Sequence, residues 1–148
     1  MKKTIIFFLS LFISAVLIVL PYKEYPTLLP GSNVKIVIYR HIVSIFTEGL
    51  WAYAAFLFVL LPSVLLIQIG RSPLTAYKKA LFLVEGILAL LAAFLMLVMM
   101  SINPRTLAEL VIIKPMFYLS LCWVLLGAIT SILLMNKKIY DKAARLCN

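Results

Sequence analysis

Residues Ala80–Met100 read ALFLVEGILALLAAFLMLVMM, an apolar run that contains a single charged residue, Glu85. As an α-helix rising about 1.5 Å per residue, this run is about 30 Å long, which is the thickness of the hydrocarbon core of a bilayer. Its length and composition therefore predict a membrane-spanning helix.

Three further apolar runs have the same character and the same length range, roughly 17–25 residues. They are Thr4–Leu20, Leu50–Ile69 and Met116–Met135. Pro62, inside the second of these runs, removes a backbone donor and predicts a kink. The first run follows two lysines and so resembles a signal peptide. Because it lacks a small-residue cleavage site, we expect an uncleaved first helix.

The composition extends this interpretation to the whole chain. Hydrophobic residues make up 65% of it and charged residues 13%, against about 45–50% and about 25% in soluble proteins. The net charge is +9, but the basic residues lie in short clusters between the apolar runs, which argues against nucleic-acid binding. We therefore predict an all-α membrane protein, a single domain over residues 1–148 that forms a bundle of four transmembrane helices.

The distribution of lysine and arginine predicts the orientation. If the N-terminus lies inside, the inner segments hold nine basic residues: Lys2, Lys3, Arg71, Lys78, Lys79, Lys137, Lys138, Lys142 and Arg145. The outer segments hold five: Lys23, Lys35, Arg40, Arg105 and Lys114. The positive-inside rule thus favours both termini in the cytoplasm, and we expect a multi-pass protein of the bacterial inner membrane.

The largest aqueous segment is the first outer loop, Pro21–Gly49. Its first part is rich in turn residues, whereas Val34–Tyr39 is β-branched and aromatic and predicts a short extended segment before a helix from about Ile42. An interfacial helix that runs through His41 is the alternative. The stretch Arg105–Leu110 in the second outer loop is compatible with a helical turn on the membrane surface. The basic tail from Asn136 shows no structural signal, and we expect it to serve as a topology anchor.

Glu85 is the candidate functional residue. An acid at the centre of a span costs about 2.5–3.5 kcal/mol, and intramembrane acids often mark ion or proton paths. Lys78 lies seven residues earlier and so shares a helix face with Glu85. The plainer interpretation is an acid near the interface, held by a cation or by headgroup water.

The remaining residues give no pattern for catalysis, cofactors or metals. His41 is the sole histidine and cannot form a haem pair or a zinc site alone, and Cys122 and Cys147 lack metal-ligand spacing. With no catalytic triad, carboxylate pair or phosphate-binding loop, we predict that the protein is not an enzyme. We expect Trp123 to pack within the fourth span. Small residues predict close helix seams; they are Gly49, Ala52, Ala54, Ala55, Gly86, Ala89, Ala92 and Ala93.

Ile45–Trp51, Ala54–Phe58 and Leu61-Pro62-Ser63, followed by a final span over Phe117–Leu134, form an ordered set of segments. In this order they resemble the membrane domain of the paraquat-inducible protein A family, over roughly residues 20–135. The sequence departs from that family at three points: Leu65-Leu66-Ile67 stands where a lysine is usual, Val84-Glu85-Gly86 replaces an aspartate-containing stretch, and the zinc-ribbon cysteines are absent.

The resemblance implies a role beside MCE-type proteins in moving lipids between membranes, with Glu85 and the small-residue faces lining a lipid-handling groove. It also implies a membrane protein partner. Two other classes fit a small membrane protein without catalytic residues. One is an immunity-type protein that blocks a pore-forming toxin, and the other is a small transporter or channel subunit.

Overall fold

A computed structural model of the chain describes residues 2–19, 21–28, 35–41, 58–69, 73–101, 112–113 and 115–147. The helices of this part are α1 (Lys2–Val19), α2 (Leu61–Gln68), α3 (Ala76–Ser101), α4 (Pro115–Leu133) and α5 (Lys137–Cys147). The strands are β1 (Pro21–Leu28), β2 (Lys35–His41) and β3 (Ile112–Ile113). The described chain is therefore mainly helical, with a small sheet after α1.

Three helices coincide with predicted spans. Among the described residues, Ala76–Val98 and Pro115–Leu133 are long and apolar enough to cross a membrane, and Lys3–Val19 is a shorter apolar helix. The predicted second span is described only from residue 58 onward, where it ends in the short helix α2. Two helices of the described part, rather than four, thus meet the length and hydropathy of a span.

The three strands form an antiparallel sheet in the order β2-β1-β3. The predicted extended segment lies in β2, whereas the turn-rich stretch before it forms β1, which the sequence did not predict. In the described sheet β3 pairs only with Lys23 and Glu24, so one edge of β1 is unpaired at Pro26. An unpaired edge tolerates a residue that lacks an N–H. The predicted helix from Ile42 and the helical turn at Arg105–Leu110 lie outside the described residues.

Helix α4 packs closely against α3 through small residues. A Cβ atom added to Gly86 would lie 2.7 Å from Cγ1 of Ile132 and 3.4 Å from the carbonyl oxygen of Ala128, so the two backbones approach at glycine. Ala89 and Ala93 follow on the same side of α3 and are buried. The small-residue seam predicted for this helix is therefore present, whereas the set at Gly49–Ala55 lies outside the described residues.

A second face of α4 contacts α2. A Cβ added to Gly127 would lie 3.3 Å from Cδ2 of Leu61 and 3.3 Å from Cδ of Pro62. Large apolar side chains lie instead on the outer helix faces, where several are more than half exposed, namely Phe8, Phe12, Ile87, Phe94 and Ile129. Glycine and alanine thus lie where α4 meets its neighbouring helices, and large apolar side chains cover the outer faces.

The C-terminal tail forms helix α5, although no structural signal was found for it in the sequence. The Oδ1 atom of Asn136 accepts the amide of Lys138 at 3.0 Å, and its carbonyl accepts the amide of Tyr140 at 2.9 Å. Asparagine is a preferred N-cap because its side chain binds a free amide of the first turn. Tyr140 is buried against Phe82, with ring centroids 6.2 Å apart, and this contact holds α5 against α3.

Candidate functional site

Pro62 lies where the second helical segment is interrupted. Phe58 and Val59 are helical, Leu60 is a turn, and α2 begins at Leu61 with the proline in its first turn. The amides of Ser63 and Val64 both donate to the carbonyl of Leu60, at 3.0 and 3.1 Å. The predicted kink is therefore a helix start, a position where a missing N–H costs little.

At this interruption, the carbonyl of Val59 accepts hydrogen bonds from side chains of two other helices. Ser14 Oγ of α1 donates to it at 2.9 Å, and Trp123 Nε1 of α4 donates to it at 3.1 Å. The same indole nitrogen lies 3.1 Å from Ser14 Oγ, and both Ser14 and Val59 are fully buried. A buried carbonyl is costly to leave without a donor, so this junction fixes where the three helices meet.

The polar part of this junction was not predicted, since Trp123 was expected only to pack. A buried tryptophan N–H usually finds an acceptor, and that rule was the available signal. A second serine contact lies beside it, where the hydroxyls of Ser10 and Ser63 are 2.9 Å apart and buried. Serine hydroxyls that bond across helices are typical of packing within membranes.

Glu85 of α3 pairs with Gln68 of α2, a residue for which the sequence predicted no role. Gln68 Nε2 donates to Glu85 Oε1 at 2.7 Å. Glu85 Oε2 and Gln68 Oε1 are both buried and have no hydrogen-bond partner among the described residues. Among the described residues, one oxygen of the acid is thus held by a neutral amide.

Lys78 binds the same glutamine through its backbone. Its Nζ atom donates to the backbone carbonyl of Gln68 at 3.1 Å and to the hydroxyl of Tyr140 at 2.8 Å, and it lies 5.2 Å from the centre of the tyrosine ring. Lys3 of α1 donates to the next carbonyl, that of Ile69, at 2.5 Å. Lysines from two helices therefore bind the carbonyls at the C-terminal end of α2, where cations are favourable.

These contacts bring specific helix ends together. The start of α1, the end of α2, the start of α3 and the buried face of α5 meet around Lys3, Lys78 and Tyr140. Lys3 and Lys78 are both among the nine basic residues that the charge distribution predicts to lie on the cytoplasmic side of the membrane.

An apolar groove lies between α1 and α4, with a volume of about 270 Å³. Its lining residues are Phe12, Ile13, Val16, Leu17, Met116, Leu119 and Trp123. The predicted groove lined by Glu85 and the small-residue faces therefore differs from this one. Trp123 belongs both to this groove and to the Val59 junction.

Within the described ranges, no three His, Cys, Asp or Glu side chains lie close enough together to hold a metal ion. Cys122 is a free, exposed thiol on α4.

A scan of protein-family models gives no match to this chain, and searches of curated proteins and of solved structures give none either. The resemblance to the paraquat-inducible protein A family thus stays a prediction from the sequence.

Proposed function

We propose that the chain is a non-enzymatic, multi-pass protein of a bacterial inner membrane that binds lipid as an accessory subunit of transport between membranes. The observation that carries this proposal is the apolar groove between α1 and α4. The membrane location, the topology and the lipid each rest on a different set of observations, and the accessory role rests on the family resemblance.

The membrane location is supported by the distribution of side chains. The buried polar residues of the described part are all serines, while leucine, isoleucine and phenylalanine cover the outer faces of α1, α3 and α4. Large exposed apolar areas on a soluble protein mark interaction or membrane surfaces. Lipid acyl chains are apolar, as are the outer faces of these helices along their length.

A four-span topology with both termini in the cytoplasm is supported by the lysine contacts. Lys3 and Lys78 bind the end of α2 from the starts of α1 and α3, so that these helix ends lie on one side. Exposed basic residues of α5 lie there too because Tyr140 anchors that helix to Lys78. A cluster of basic residues at helix ends is typical of a cytoplasmic face.

Native cysteines provide a test of this topology. With Cys147→Ser, only Cys122 remains, and we expect a water-soluble maleimide to label it after denaturation but not in sealed membranes, although it is exposed on α4. With Cys122→Ser, the tail cysteine should react in inside-out vesicles and not in intact spheroplasts. Labelling of Cys122 in sealed membranes, or of Cys147 from outside, would contradict the topology.

The lipid part of the proposal rests on the size and lining of the groove. Its volume of about 270 Å³ is close to the lower end of the roughly 300–1,000 Å³ typical of small-molecule sites. Every lining residue is apolar or aromatic, which suits an acyl chain and offers nothing to a charged solute. Phe12 and Leu119 are exposed beside it, so a chain can enter from the side.

Retained phospholipid measures this binding. The protein is purified in mild detergent, and phospholipid per protein is determined by mass spectrometry. We expect Leu119→Trp to fill the groove and lower the retained lipid. Leu91→Trp is the matched control, because Leu91 is 50% exposed, Leu119 is 51% exposed, and Leu91 does not line the groove. Equal retention by the two variants and the wild type would refute the lipid site.

The accessory role is tested by what co-purifies from native membranes. Recovery of an MCE-type protein would support the partner that the family resemblance implies. Recovery of the protein alone, with its lipid, would remove the accessory role and leave a lipid-binding membrane protein.

A further inference from the structure

The contact between Glu85 and Gln68 is half complete. A carboxyl group and a primary amide offer four polar atoms, and the single hydrogen bond between Gln68 Nε2 and Glu85 Oε1 uses two of them. The other two, Glu85 Oε2 and Gln68 Oε1, are buried without a partner in the described part of the chain. Both are acceptors while Glu85 is ionised, so neither can satisfy the other.

We propose that this pair is a proton-binding site, in which Glu85 carries a proton on Oε2 and donates it to Gln68 Oε1. One proton then turns two unpartnered acceptors into a second hydrogen bond and closes an acid–amide ring. The match follows from the chemistry of the two groups, since each then presents one donor and one acceptor side by side. An intramembrane acid that holds a proton is a recurrent element of proton-coupled membrane proteins.

The charged groups near the pair are engaged elsewhere. Lys78 of α3 binds the Gln68 carbonyl and the hydroxyl of Tyr140, which is the titratable group that α5 presents here. Lys3 of α1 binds the carbonyl of Ile69. Helix α2 contains no titratable side chain, and the titratable residues of α4, Tyr118 and Cys122, are exposed. Within the described part of the chain, the partner of the carboxyl is therefore the amide.

The proton would strengthen the contact between α2 and α3. In the protonated form two hydrogen bonds link these helices, and loss of the proton leaves two buried acceptors and a negative charge between them. Unpaired buried acceptors favour separation or rearrangement of the elements that hold them. The site thus goes beyond lipid binding, because it makes the α2–α3 contact depend on proton loading.

Infrared spectroscopy of the full-length protein in liposomes detects the proton directly. We expect a carboxylic-acid C=O band at neutral pH that shifts on deuterium exchange and is absent from Glu85→Gln. Gln68→Leu should change the frequency of this band because the amide partner is lost. Asp141→Asn is the control: Asp141 is exposed on α5, and its replacement should leave the band unchanged.

Stability provides a second readout. A Glu85→Gln side chain can close the same ring with Gln68 through two N–H···O bonds, so this variant should fold and should unfold independently of pH. The wild type should lose stability as rising pH removes the proton. Absence of the band from the folded wild type would overturn the proposal, as would stability that follows sodium concentration at constant pH, since this would indicate a bound cation.

Discussion

The carbonyl of Val59 is shared by two donors, so the losses of unfolding free energy on removing them should not be additive. Ser14→Ala and Trp123→Phe each remove one of its two side-chain donors, which lie at 2.9 and 3.1 Å. After either substitution the carbonyl keeps the other donor. After both, a fully buried carbonyl has neither of them.

The magnitude follows from this difference. Each single substitution removes about one net hydrogen bond, about 0.5–1.5 kcal/mol, and Trp123→Phe adds a packing loss that is the same in either background. The double variant carries in addition the penalty of an unsatisfied buried acceptor, about 1–3 kcal/mol. Each single variant also loses the contact between the indole nitrogen and Ser14 Oγ, so the sum counts this contact twice and it offsets part of the penalty. We therefore expect the double variant to lose about 1 kcal/mol more than the sum of the single variants, which is within the range observed for residues in contact.

Unfolding by sodium dodecyl sulfate in mixed micelles, followed by far-ultraviolet circular dichroism, gives the free energies of unfolding for this cycle. A control cycle combines Trp123→Phe with Ser131→Ala. Ser131 is also a buried serine, but it donates to the carbonyl of Phe82 at 2.7 Å and shares no partner with the tryptophan. The control should be additive. Additivity in the Ser14 cycle as well would refute the shared role of the Val59 carbonyl.

Three further substitutions test the helix packing and the C-terminal tail. Gly86→Ala should destabilise the protein by about 1–3 kcal/mol through overpacking, because its Cβ would lie 2.7 Å from Ile132 Cγ1. Gly127→Ala, with nearest atoms at 3.3 Å, should cost less in the same unfolding assay, and the reverse order would contradict the close seam. Asn136→Ala removes the N-cap of α5 and should cost about 0.5–2 kcal/mol. Hydrogen exchange should then accelerate in α5 but not in α4, and unchanged exchange in α5 would argue against the cap.

The long helices could be predicted from the sequence because the length of an apolar run is set by the thickness of a bilayer. Their ends could not be predicted from hydropathy in the same way. Helix α3 begins at Ala76, four residues before its apolar run, because Thr75 accepts the amides of Lys78 and Lys79 through its hydroxyl and its carbonyl. A capping rule applied to Thr75 would have found this start. The same rule applied to Asn136 would have found α5.

The candidate site could be predicted only in part. Glu85 stands out in the sequence because a charge within a span is expensive, whereas Gln68 is uncharged and lies at the polar end of a run. Their pairing depends on how α2 packs against α3, which single-sequence periodicity does not contain. Ser14 was missed for the same reason, since its acceptor is a backbone carbonyl 45 residues away.

Helix α2 connects the two polar contacts. It is eight residues long, and at about 1.5 Å per residue its ends are about 12 Å apart. The Val59 carbonyl lies just before its start and is bound by Trp123, which also lines the groove. Gln68, its last residue, is bound by Glu85 and Lys78. We expect a short helix that is held at both ends to move as a rigid body, so that a change at Glu85 reaches Trp123. Deprotonation of Glu85 should therefore alter the lipid retained in the groove, and Glu85→Gln should make that retention independent of pH.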